Sequence, residues 1–220
     1  PGSRFSYSNV IYLLAGYIID KYSEQGYDAF MREYIFSPLE MHESSLLKEE
    51  LNPDHLAKSY GPNYKEKDFK HIIARPAGSV FSSSEEMGKF MRMMLKQPAS
   101  FLKESSFAEM EKHHSIADFQ GTHNGFRLGL RPTFQKGRLW LGHGGAYNNY
   151  KSVFYYNQEL DLGIFILTNG PNSVNCLNGL EKKLFEHVAE KGASEEKVDS
   201  VFLENPDQFT GYYNFGSPRV

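Results

Sequence analysis

Apolar residues recur at three- and four-residue spacing from Asn9 onward, at Val10, Leu13, Leu14, Tyr17, Ile18 and Tyr22, which predicts a helix ending near Gln25-Gly26. Asn9 is expected to cap it. A second helix is predicted over residues 27–34. Residues 47–73 are polar, are broken by Pro53 and Pro62, and hold neither helical nor strand period, which predicts a surface excursion placed to border a cleft. Ser83 and Glu86 form a capping box for a helix through Lys96, and its stripe of Met87, Phe90, Met91, Met94 and Leu95 reads as core packing. After a further helix over residues 101–112 the pattern changes to that of strands, at residues 125–130, 138–141, 150–156 and 162–168. Turns at Gln135-Lys136-Gly137 and Asn157-Gln158-Glu159 make these an antiparallel meander. A last helix, over residues 174–191, offers Leu177, Leu180, Leu184, Phe185 and Val188 to it. An antiparallel sheet flanked by helices in this order is an α+β architecture. Residues 192–206 read as a charged linker.

Composition narrows the function classes. The chain has 220 residues, 40% of them apolar and 15% aromatic, enough for one sizeable core. Its 24 basic and 27 acidic residues leave a net charge of −3 without long charged blocks, which gives no electrostatic basis for a nucleic-acid partner. A small-molecule or peptide substrate fits better. Cys176 is the single cysteine, so no internal disulfide forms, and no Cys/His set has zinc spacing, so neither a metal nor another cofactor is implied. The greasiest stretch, residues 10–19, is about half of the roughly 20 residues that span a bilayer, and is expected to be a core helix with no membrane span. Pro1 carries neither an initiator Met nor a signal peptide, so the sequence is expected to record where the chain was cut and leaves localisation open.

Two motifs bear on chemistry. Tyr7-Ser8-Asn9 follows Pro1-Gly2-Ser3-Arg4-Phe5-Ser6, and Gly142-His143-Gly144-Gly145 stands far downstream. In this order they resemble the serine β-lactamase and penicillin-binding-protein-like family, in particular its class C β-lactamase, D-Ala-D-Ala carboxypeptidase and esterase branch. The flanks agree: Pro-Gly-x-x-Phe-x-Tyr-Ser-Asn at the start, Ile35-Phe36-Ser37-Pro38-Leu39-Glu40-Met41, Pro76-Ala77-Gly78-Ser79-Val80-Phe81-Ser82-Ser83, and Asn169-Gly170 at a strand exit. Glu40 replaces the family's glycine on a loop, where it is expected to be tolerated. The resemblance covers residues 1–191, and a shorter one links residues 207–220, from Asp207-Gln208-Phe209 on, to the start of an appended β-domain.

The resemblance implies an acyl-enzyme mechanism on peptide, ester or β-lactam acyl groups. Tyr7 would be the general base in acylation and the acid to the leaving group. A free phenol titrates at about 10, so a phenolate needs cations nearby, and His143 and the lysine of the family's Ser-x-x-Lys motif are the implied suppliers. Asn9 would donate to the substrate's acyl-amide carbonyl and to that lysine. His143-Gly144-Gly145 takes the place of Lys-Thr-Gly on an edge strand, where glycines admit a substrate backbone, and the Ala146 N–H would be one oxyanion donor. Histidine for lysine weakens capture of a substrate carboxylate, which favours a peptidase or esterase over a potent β-lactamase.

The family's Ser-x-x-Lys nucleophile precedes Tyr-Ser-Asn, and it is expected upstream of Pro1. Ser45 to Lys48, Ser100 to Lys103 and Ser194 to Lys197 share its spacing, but all follow Tyr7 and lack its apolar helix. His113-His114 reads as a solvated pair, and no Gly-x-Ser-x-Gly elbow supports another hydrolase fold. The expected corollaries are that this chain alone is inactive, and that it self-associates or holds a missing N-terminal segment. The alternative is a non-catalytic homologue whose cleft binds a peptide, a cell-wall fragment or a protein partner.

Overall fold

A computed structural model of the chain describes residues 7–69, 74–112, 114 and 126–191. The linker and appended β-domain expected beyond residue 191 lie outside the described residues, as does the Ser194 string. Helices α1 (Asn9–Tyr22), α2 (Tyr27–Met31), α3 (Ser84–Lys96), α4 (Glu104–Glu111) and α5 (Ser173–Lys191) surround two sheets. The larger runs β3-β4-β5-β6, all antiparallel, through Arg131–Gln135, Arg138–Tyr147, Tyr150–Asn157 and Leu162–Thr168. The smaller pairs β1 (Ser59–Tyr60) with β2 (Glu66–Lys67) inside the polar excursion.

The larger sheet is covered on both faces, because alternate side chains of a strand point to opposite sides. On β5, Phe154 and Tyr156 enter a core with Met91 and Met94 of α3 and Phe107 of α4. Val153 and Tyr155 turn the other way, to Trp140, Ile164 and, from α5, Leu177 and Phe185. The Trp140 and Phe185 rings meet edge to face at 5.0 Å. The predicted methionine stripe is therefore core, joined by Met93.

Several expectations need correction. No strand forms over the described residues 126–130: Arg127 N–H bonds the Leu130 carbonyl and Gly129 has φ +73°, a turn that delivers the chain to β3 at Arg131. Asn9 does not cap α1; Ser8 holds the cap position with an extended backbone and no side-chain bond. Helix α1 is not a core helix. Its buried residue is Gly16, seated where a Cβ would lie 2.1 Å from Pro76 Cγ, while Val10, Ile11 and Leu14 are 68%, 65% and 57% exposed. Contacts with α2 and with the short Arg75–Ala77 turn leave much of so wide a stripe uncovered. On α5, Leu177 and Phe185 are buried, but Leu180 and Leu184 face outward. Among the described residues no helix is long and apolar enough to cross a membrane.

After α2 the chain continues as a π-turn, Arg32–Phe36, into the Pro-Leu-x-Met segment. Glu40 adopts φ +56° there. That left-handed conformation crowds a Cβ and suits glycine. Replacing Glu40 by Gly is expected to stabilise the fold by up to about 1 kcal/mol, net of the extra freedom glycine has when unfolded. Urea denaturation checks this through a rise in midpoint at constant slope.

The capping box forms only in half. Ser83 Oγ accepts from Glu86 N–H at 3.2 Å, but the Glu86 carboxyl reaches across to another segment. It accepts from Glu43 N–H at 2.8 Å and from Ser44 Oγ at 2.5 Å, and Ser82 Oγ lies 2.7 Å from Ser44 Oγ. Glu86 and Ser44 are both buried. Glu86→Ala would remove the acceptor shared by the Glu43 N–H and the buried Ser44 hydroxyl, which keeps only Ser82, and is expected to destabilise by about 1–2 kcal/mol, read as a lower denaturation midpoint.

Candidate active site

The sequence brings two distant residues to one spot. Tyr7 lies in the extended residues that enter α1, and His143 stands on β4 with its ring centroid 6.0 Å from that of Tyr7. Phe126 completes a triangle, 5.8 Å from Tyr7 and 6.0 Å from His143. Nothing in the motifs had marked Phe126; its position just before the turn to β3 delivers it. His143 Nδ1 is 2.6 Å from the Gly144 carbonyl oxygen. A carbonyl only accepts, so Nδ1 carries the hydrogen and Nε2 is left to face a partner.

The backbone of β4 is set by two tight hairpins. Lys136-Gly137 joins β3 to β4 and Asn148-Asn149 joins β4 to β5, all four with positive φ as two-residue turns require. Such turns make the flanking pairs, Gln135 with Arg138 and Tyr147 with Tyr150, mutually hydrogen-bonded. Counting back by twos, Gly144 and Ala146 direct their N–H and C=O groups away from β5. Strand β3 reaches only to Gly142, so both residues present an open edge. The Gly144 carbonyl is the acceptor used by His143; the Ala146 N–H points outward, and Ala146 is exposed.

The glycines of this strand differ in what holds them. A Cβ on Gly142 would fall 1.7 Å from the Phe154 carbonyl oxygen, so backbone packing demands glycine there. On Gly145 it would meet only the Ser152 hydroxyl, at 2.5 Å, which can turn away. Gly145 and Gly144 are exposed, on the open edge.

Beside this edge runs a groove of about 890 Å³ lined by Gly145, Ala146, residues of the 47–69 excursion and the segment from Gly78 to Ser83. The excursion thus borders a cleft, as its lack of period suggested. It is tied to the sheet by Tyr150 Oη to the Ala57 carbonyl at 2.7 Å, Asn169 Nδ2 to the Lys58 carbonyl at 2.9 Å and Asn148 Nδ2 to the Asp68 carbonyl at 2.9 Å. The two described Ser-x-x-Lys strings are engaged elsewhere. Ser45 is buried, bridges to Phe81 through its backbone and donates its hydroxyl to Glu50 at 2.6 Å, while Ser100 lies in the exposed turn before α4. Glu50 is held below the ordinary carboxylate range by its bond from Arg32 and then by that hydroxyl. Among the described residues no group of three or more His, Cys, Asp or Glu is placed to hold a metal ion.

A four-stranded antiparallel sheet between helices, with the Tyr-Ser-Asn turn brought against a glycine-flanked edge, defines a β-lactamase/transpeptidase-like fold. The chain belongs to the Beta-lactamase family, whose profile matches residues 1–186. A D-stereospecific amidohydrolase from Streptomyces sp. and a class C β-lactamase share the fold. Protein flp of Staphylococcus aureus (strain MW2) is 23% identical over 218 residues, 95% of this chain and 41% of that protein. The octameric penicillin-binding protein homologue from Pyrococcus abyssi is similar with a TM-score of 0.70 and 27% identity, over 84% of this chain and 43% of that one. The D-amino acid amidase from Ochrobactrum anthropi SV3 shares the fold, with a TM-score of 0.66 and 23% identity over 77% of this chain and 52% of that one. The chain therefore spans about half, or less, of the proteins it resembles.

Proposed function

We propose that this chain supplies the proton-transfer and oxyanion half of a serine hydrolase that works through an acyl-enzyme on peptide, ester or β-lactam acyl groups. The observation that carries the reading is the meeting of Tyr7 and His143 beside the open edge of β4. In this reading the nucleophilic serine comes from outside these 220 residues. Tyr7 takes the proton of that serine as its oxygen attacks the substrate carbonyl, and returns it to the leaving group as the tetrahedral intermediate collapses. His143 stands beside the phenol, its ring centroid 6.0 Å from that of Tyr7. The Ala146 N–H and the N–H of the serine receive the oxyanion, and Asn9, exposed at the start of α1, holds the substrate's amide. Water then releases the acyl group.

The exposed apolar stripe of α1 supports the further reading that this chain is covered in the full-length protein, by a segment from outside these residues or by another copy. The octameric state of the Pyrococcus abyssi homologue is in keeping with the second. The test of the hydrolase reading is the release of nitrophenol from p-nitrophenyl acetate by the full-length protein. A burst equal to the enzyme concentration followed by steady turnover is expected. Neither burst nor turnover on esters, amides and a chromogenic β-lactam would overturn the reading in favour of a non-catalytic binding protein.

A further inference from the structure

We infer that the groove beside Ala146 contains an aromatic subsite, built by Phe69, Phe81 and Tyr147, and that the preferred substrates carry a phenyl-sized side chain next to the scissile carbonyl. The assignment rests on the hydrolase reading for the position of that carbonyl. The rings are already grouped: Phe69 and Phe81 lie 5.2 Å apart, and Phe69 meets Tyr147 edge-on at 6.1 Å. The Lys48 ammonium stands 5.4 Å from the centre of the Phe69 ring, a cation–π contact that helps fix it. All three rings line the groove and are only half buried.

Strand alternation connects this cluster to the reacting end. His143, Gly145 and Tyr147 share one face of β4, and their partners Ser152 and, beyond it, Leu167 share it too. His143 meets Tyr7 at one end of that face; Tyr147 meets Phe69 at the other. Between them Gly145 has no side chain, so a substrate held at the Ala146 N–H can lay its own side chain across the gap. The floor it crosses carries the Ser152 hydroxyl and, beyond it, unfilled apolar surface: Leu167 is 49% exposed and Val80, which also lines the groove, 50%. A satellite core would have buried them. An offset or edge-to-face ring entering there gains contacts that a methyl group cannot reach.

The test is a titration of the isotope-labelled full-length protein, followed by NMR, with N-acetylphenylalanine amide of each configuration and with N-acetylalanine amide. The expected result is that at least one phenylalanine amide shifts the resonances of Ala146, Tyr147 and Phe81 with a Kd about tenfold or more below that of the alanine amide, the ratio that burial of a phenyl group implies. Phe69→Leu and Tyr147→Leu, each checked for native circular dichroism, should reduce that ratio to below about threefold. Equal affinities, absence of binding, or shifts that map to α1 instead would overturn the subsite. Because the readout is binding, a missing acyl-enzyme burst leaves this result standing, and a failed titration leaves the burst standing.

Discussion

Tyr7→Phe is expected to lower kcat of the full-length protein by about 10²- to 10⁴-fold, the range over which a positioned acid–base group contributes. The substitution removes one oxygen and keeps the ring, so the contacts with Phe126 and His143 persist and the fold should be unchanged. Because the phenol acts in forming and breaking the tetrahedral intermediate, the loss should fall on kcat and kcat/KM alike, with KM little altered. Activity within about threefold of the parent would remove Tyr7 from the mechanism.

The second large effect concerns folding. Gly142→Ala is expected to destabilise by at least about 3 kcal/mol, because the new methyl meets a backbone carbonyl of the adjacent strand and not a side chain that can turn aside. For a domain of this size that is a fall in Tm of about 6–12 °C. Gly145→Ala makes the informative contrast. Only the Ser152 hydroxyl must move, so Tm should change by less than about 3 °C. The methyl would nonetheless stand on the cleft face between His143 and Tyr147, and kcat/KM should fall by about 10²-fold through misplacement of the substrate. Calorimetry of the two variants beside their kinetics separates a glycine needed for packing from one needed for substrate. Equal loss of stability in both would void that distinction.

Much of the helical frame was legible because its period is strong. The N-cap and stripe of α3 sit where Ser83 and the methionines placed them, although the Glu86 carboxyl turns away from the cap, and α5 begins within a residue of its expected start. The pattern misled where burial depends on what lies opposite. Helix α1 has the composition of a core helix, yet its neighbours are the short Arg75–Ala77 turn and the five-residue α2, and no local signal in residues 9–22 reports that. Leu180 and Leu184 followed the same period as Leu177 but fall outside the reach of the sheet.

Apolar period alone ends strand β4 at Leu141, since Gly-His-Gly-Gly has poor strand propensity; the family resemblance places His143-Gly144-Gly145 on an edge strand, and β4 does continue through them to Tyr147. The signal that could have extended it was Asn148-Asn149, a pair suited to a tight turn between Tyr147 and Tyr150. For the site, Tyr7 and His143 were found by motif and stand together. Phe126 was hidden because its alternation with Leu128 and Leu130 reads as strand, whereas residues 126–130 form the turn into β3. The groove's aromatic grouping was equally hidden, for Phe69, Phe81 and Tyr147 belong to three separate segments that only the fold assembles.

The central claim is that these residues form one part of a serine hydrolase site whose nucleophile lies outside this sequence. Its most direct test is to treat the full-length protein with a fluorophosphonate probe, digest it, and map the adduct by mass spectrometry. One modified serine outside these 220 residues is the predicted result, with labelling slowed in Tyr7→Phe. Stoichiometric modification of Ser45, Ser100 or any other serine of this chain would contradict the account.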